Sequence, residues 1–139
     1  MSETNRQILL ASRPAGWVEE ANFKLVETPV PQIADGQVLV RNHFLSLDPY
    51  MRGRMNDAKS YAAPVNLGDV MVGGTAGEVV ESKNPKFKVG DKVVGYLGWQ
   101  LYGVSDGAML MKVDDRHIPL SAYLGSVGMP GVTAWYGLM

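Results

Sequence analysis

Glycine and proline interrupt this chain so often that little of it can form long helix: 16 glycines and 8 prolines fall within 139 residues. Each proline removes a backbone donor, and each glycine inside a helix costs roughly 1 kcal/mol relative to alanine. Between these interruptions lie short runs rich in valine and bounded by turn residues, the pattern of strands. Strands are expected at RQILLAS (6–12), FKLVETPV (23–30), QVLVRNHFL (37–45), GTAGEVVES (74–82), DKVVGYLG (91–98) and GAMLMKV (107–113). Pro29 and Pro31 confine the second to a sheet edge or a strand end. In EVVESKNPKFKVGDKVVG, Asn84-Pro85 and Gly90-Asp91 supply turns between two β-branched pairs. Apolar and polar residues alternate only in part, so both sheet faces are covered in places. The expected fold is mainly β, a closed or partly closed barrel.

Composition narrows the function classes. A 46% hydrophobic share suits a single domain with a real core. The net charge is −1 and the basic residues form no run, which argues against nucleic acid as a partner. No apolar stretch approaches the ~18 residues of a membrane span, and the polar start MSETNRQ lacks the apolar core of a signal peptide. A cytoplasmic protein with no membrane partner is expected. With no cysteine there is neither a disulfide nor a thiolate nucleophile. His43 and His117 have no spaced carboxylate or second histidine beside them, so no metal site is expected and both read as surface or satisfied core histidines.

The pattern changes after Pro119. Val132, Trp135, Tyr136 and Met139 fall at the i, i+3, i+4, i+7 spacing of one helix face, and Pro130 suits a first turn. This helix reaches Met139 without a glycine cap or a basic last turn, which reads as a chain cut inside an element. Gly125, Gly128 and Gly131 form G-x-x-G-x-x-G in the same segment. A dinucleotide fingerprint should follow a strand and precede an acid by about 20 residues. Neither holds here, so tight turns between short helices account for the glycines better. GGTAG (73–77) lacks the Lys-Ser/Thr of a phosphate loop and reads as glycines in a tightly bent strand.

The cluster SLDPYMRGRM (46–55) follows an apolar strand, where a plain turn would suffice. Tyr50 reads either as a rim aromatic packing over the core or as a pocket wall. Arg52 and Arg54 could meet a cofactor phosphate, but surface pairing with Asp48 or Asp57 is the simpler reading. Tyr61, in SYAAPVN, is either a lid over a substrate or a loop aromatic.

LSLDPYMRGRM, VMVGGTAGEVVESKNPKFKVGDKVVG and LGSVGMPGVTAWYGL resemble, in order and over nearly the whole chain, the amino-terminal domain of zinc-independent medium-chain dehydrogenase/reductases. The resemblance is to the branch of prostaglandin reductases, leukotriene hydroxydehydrogenases, alkenal double-bond reductases and bacterial curcumin reductases. It implies a GroES-like β-barrel over residues 1–125. Residues 126–139 would then begin the helical connection to a Rossmann cofactor domain that this chain lacks. It further implies NADPH as cofactor, bound mainly by that other domain, and an enone or enal whose carbon–carbon double bond is reduced. Zinc-dependent relatives carry a cysteine ligand at the corresponding turn and a histidine further on; Leu47-Asp48-Pro49-Tyr50 and Gly68-Asp69-Val70-Met71 have neither.

Hydride delivery to the β-carbon builds negative charge on the carbonyl oxygen, so such a site needs hydrogen-bond donors more than a metal. The tyrosine usually assigned to that oxygen lies in the other domain, so no catalytic residue is expected here. The resemblance assigns Tyr50 to the substrate and Met129 and Thr133 to the nicotinamide end of the cofactor; Tyr61 is expected at the substrate from its loop. From the residues alone, Thr133 would be a helix-terminal hydroxyl bonding to backbone. The full-length enzyme would be a homodimer, and this segment alone inactive. The competing expectation is a non-catalytic β-barrel that binds or scaffolds, since fold does not fix function.

Overall fold

The computed structural model describes residues 3–58 and 62–139, so Tyr61 lies outside the described residues. The elements run β1 (Thr4–Leu10), β2 (Phe23–Pro29), β3 (Val38–Leu45), α1 (Tyr50–Arg54), β4 (Thr75–Ser82), β5 (Lys92–Gly95), β6 (Tyr102–Ser105), β7 (Met111–Val113) and α2 (Met129–Leu138). Short 3-10 turns occupy Glu20–Asn22 and Leu120–Leu124. The fold is mainly β, as the glycine and proline spacing requires. Two elements go beyond the expectation: β6, and α1 where a turn was anticipated.

β1 and β2 form an antiparallel pair, in register from Thr4 opposite Pro29 to Leu10 opposite Phe23. The other five strands form an antiparallel sheet in the order β6-β3-β4-β5-β7. The two sheets do not close into one continuous barrel. β1 is stitched between two loops instead: Ile8 N donates to Trp99 O at 2.9 Å, and Met71 N donates to Ile8 O at 2.9 Å. This is a partly closed barrel.

β3 shows why its sequence alternates so imperfectly. Val38 and Val40 point into one apolar cluster with Val79, Phe87, Val93 and Leu110, while Leu39, on the opposite face, joins Ile33 and Tyr102. With both faces covered, apolar residues need not alternate with polar ones. A bulge then falls between Asn42, paired with Gly77, and Phe44, paired with Ala76. His43 is the extra residue, exposed at the surface with Nε2 3.9 Å from the Glu78 carboxylate. Gly77 is required here: a Cβ would lie 2.2 Å from the Arg41 carbonyl oxygen. The bent-strand reading of GGTAG therefore has a concrete cause at this position.

β6 is held by side-chain amides. Buried Asn5 donates to Tyr102 O at 3.2 Å and to Gln100 Oε1 at 3.1 Å, and its Oδ1 accepts from Tyr102 N at 2.9 Å. Asn42 Nδ2 donates to Gln100 O at 2.9 Å. A four-residue strand, YGVS, contains too little alternation to stand out from its sequence alone.

At the far end α2 begins with Pro130 in its first turn. A Cβ on Gly128 would meet Tyr123 O at 2.3 Å, and one on Gly131 would meet Ser126 O at 1.9 Å. These glycines let the helix start close against the preceding turn, which accounts for their spacing without a nucleotide. No residue of α2 is buried. Among the described residues, no helix is long and apolar enough to cross a membrane.

Candidate functional site

α1 grows directly from the Asp48-Pro49 pair. Pro49, at φ −57° and ψ −32°, already has helical geometry, and Met51 N and Arg52 N bond back to Asp48 O and Pro49 O at 3.1 and 3.2 Å. Met51 and Met55, one turn apart, share a face and are both 3% exposed. They enter an apolar cluster with Leu10, Val65 and Met71, against which Phe23, Tyr50 and Trp99 pack. Tyr50 is thus half-buried at the rim of that cluster.

Gly73 sits where this cluster is tightest. A Cβ there would lie 2.8 Å from Leu45 Cδ1, 3.0 Å from Met51 Cε and 3.1 Å from Trp99 Nε1. Trp99 stacks on Phe23, with ring centroids 5.3 Å apart. Its buried indole N–H finds no hydrogen-bond partner among the described residues. Sequence reasoning did not single out Trp99; its only signal was an aromatic beside Gly98 in a loop.

The arginines of α1 behave differently from the expectation. Instead of pairing with Asp48 or Asp57, Arg52 donates from Nε and Nη2 to Gly16 O at 3.1 and 3.0 Å, from Nη2 to Pro14 O at 3.1 Å, and from Nη1 to Asn56 Oδ1 at 2.6 Å. Arg54 Nε donates to Ala63 O at 2.6 Å. Arg13 Nη1 returns the contact from the first loop to Met55 O at 2.8 Å. Carbonyl oxygens satisfy guanidinium donors as well as carboxylates do, but every residue has one, so no sequence pattern reports such a bond.

Met129 and Thr133 lie on α2. Met129 is 69% exposed, and Thr133 is exposed, its hydroxyl making no hydrogen bond among the described residues. The backbone bond expected of a helix-terminal hydroxyl is therefore not made. Tyr50 belongs to the apolar cluster under α1, whereas Met129 and Thr133 belong to an unburied helix. A cavity of about 460 Å³ opens at the β1–β2 edge, lined by Glu3, Thr4, Glu27, Thr28, Pro29 and Val30. Tyr50, Met129 and Thr133 do not line it. Nearby, Tyr102 donates its hydroxyl to Glu3, and that bond, followed by burial, pushes the phenol above its ordinary range. Among the described residues no group of three His, Asp or Glu side chains is placed to hold a metal ion.

This fold and these motifs define a class. Residues 6–113 match the family described as the N-terminal domain of oxidoreductase, and the chain belongs to that family. The chain is 52% identical over 137 residues to the NADPH-dependent curcumin reductase of Escherichia coli (strain K12), covering 99% of this chain and 40% of that one. It is 36% identical over 140 residues to the 2-alkenal reductase (NADP(+)-dependent) of Nicotiana tabacum, covering 96% and 40% respectively. Among solved structures, CurA from Vibrio vulnificus in complex with NADPH superimposes with a TM-score of 0.89 at 50% identity, over 96% of this chain and 40% of that chain. The chain thus spans about 40% of the length of these relatives.

Proposed function

We propose that this chain is the substrate-side domain of an NADPH-dependent, zinc-free reductase acting on the carbon–carbon double bond of α,β-unsaturated ketones or aldehydes. One observation carries the reading: 52% identity, over 99% of the chain, to a reductase that uses NADPH. In this reading residues 1–125 form the substrate-side barrel and 126–139 begin the connection to a cofactor domain. The full-length enzyme is a cytoplasmic homodimer in this reading, an assignment that rests on the family resemblance alone.

Met129 and Thr133 suit the uncharged end of the cofactor. Thr133 has an exposed, unengaged hydroxyl able to bond an amide, and Met129 offers an exposed apolar contact. Arg52 and Arg54 are bonded to carbonyls, so neither is a ready phosphate receptor. NADPH, when bound, supplies the hydride. This chain's part is to orient the enone: Tyr50, fixed by the packing of Met51 and Met55, supplies an aromatic wall, while Tyr61 is proposed as a second substrate residue from its loop SYAAPVN. Proton donation is left to the other domain.

The test joins this chain to the remainder of the Escherichia coli relative and follows NADPH consumption with a panel of enones and enals. Turnover by the chimera, and none by the 139-residue chain alone, is the expected result. A chimera that binds NADPH but reduces no enone sinks the proposal. In the same chimera Thr133→Val should lose roughly two- to tenfold in NADPH affinity or hydride-transfer rate, as one hydrogen bond is worth. Unchanged kinetics with a lowered melting temperature would make Thr133 structural.

A further inference from the structure

The segment joining β1 to β2 is a loop closed at its neck. Ala11 N and Ser12 N donate to Asn22 O at 2.7 and 3.3 Å, and Asn22 Nδ2 donates to Ser12 Oγ at 3.1 Å. Its flank is fastened to α1, through Arg52 to Pro14 O and Gly16 O and through Arg13 to Met55 O. Yet its tip presents Trp17, 95% exposed, beside Val18 at 40%. A tryptophan held in water on an anchored loop contributes no burial to the fold, whereas a preformed apolar surface loses little entropy when something docks on it.

The position of the tip indicates what docks. Trp17 follows Gly16, whose carbonyl is held by Arg52 of α1, the helix whose first residue is Tyr50. At the loop's other end Phe23 packs on the same apolar cluster as Tyr50. We infer, resting on the enone-reductase reading above, that this loop is an apolar rim of the substrate mouth. Trp17 is its specificity-determining residue and receives the hydrocarbon or aryl tail of a long enone; Arg52 is the positioning residue that fixes the rim. Four hydrogen bonds engage the Arg52 guanidinium, and Glu19 and Glu20 follow the tip, so the tail it suits is uncharged.

The experiment titrates the 139-residue chain with methyl propenyl ketone and with its heptenyl homologue, following backbone amides and the three tryptophan indole N–H signals by NMR. Both ketones should shift the amides around Tyr50, and only the longer one should shift the indole of Trp17. Trp17→Ala, at a fully solvated side chain, should weaken the longer ketone roughly fivefold and leave the shorter unchanged. Arg52→Gln should reproduce that selective loss, and Arg52→Lys should restore part of it. Shifts near Tyr50 with a silent Trp17, or equal losses for both ketones, overturn the rim while leaving the enone site in place. Silence at both positions overturns the enone site on this chain, and the rim falls with it.

Discussion

Two regions of this molecule are about equally apolar in sequence and opposite in structure. In β3, β4 and β5 the valines pack on each other in one buried cluster, and β3 and β4 run so close that Gly77 leaves no space for a Cβ beside the Arg41 backbone. In α2, Val132, Trp135, Tyr136 and Leu138 are between 52% and 87% exposed, and no residue of the helix is buried. The hydrophobic effect rewards removal from water, not apolar composition. The sheet therefore contributes to the stability of this chain, while the apolar side chains of α2 contribute almost nothing to it. An uncharged, apolar helix with no buried residue retains its surface for contacts outside the described fold.

This contrast breaks most easily at Gly77. In Gly77→Ala the new methyl would meet backbone atoms of Arg41 that have no room to yield, and a loss of about 3 kcal/mol or outright misfolding is expected in a thermal melt. Wild-type melting would mean that β3 and β4 part freely. Next, Met71→Ala, at a residue 0% exposed, should cost about 2–5 kcal/mol in denaturant titration. Trp135→Ala removes a larger side chain but one 65% exposed, so its effect should stay within about 0.5 kcal/mol. Equal losses for the two would show α2 to be buried in solution.

Gly137→Ala sharpens the contrast from the other side. A Cβ there meets nothing within 4 Å, so about 0.5–1 kcal/mol of local helix stability should be gained. Circular dichroism should report more helix with the global melt unmoved; a shifted global melt would couple α2 to the sheet. The smallest effect is expected at the joint between the regions, where Tyr123 donates its hydroxyl to Asp114 O at 2.7 Å. The Arg116 guanidinium lowers the Asp114 carboxyl from 3.8 to about 2. Because the folded value is depressed, the pair's contribution is present above the unfolded value and is lost as pH falls through about 2. In Arg116→Ala the carboxyl should rise from about 2 toward 3.8 by NMR without reaching it, because the backbone N–H of residue 116 still donates to Asp114 Oδ1, with little change in melting because both groups are solvated. A carboxyl still near 2 would assign the shift to the backbone N–H instead of the guanidinium.

Much of the sheet was legible, because β-branched runs between turn residues leave a clear imprint; six of the strands lie within or across the expected segments. Their ends were not, as GAMLMKV shows: only Met111–Val113 pairs, and Gly107, at φ +91°, belongs to a turn. α1 was hidden because a five-residue helix opened by Pro49 and containing Gly53 has almost no period to detect. α2 was legible as a helix, yet its stripe carried no sign of whether protein or water would face it. At the candidate site the motif pointed to Tyr50, but the carbonyl bonds of Arg52 and Arg54 and the crowding at Gly73 depend on residues distant in sequence. Tyr61 stays an expectation from the motif.

The amide network at β6 also sets an order in time. Asn5 is bonded to residues 95 and 97 positions later, so β1 has no complete seat until Gln100 and Tyr102 have been made. Closing so long a loop is entropically slow compared with pairing β4 to β5, which are near neighbours in sequence. The residues of β1 are thus among the last to gain protection from solvent exchange, and pulse labelling during refolding should find β4 and β5 guarded while β1 still exchanges.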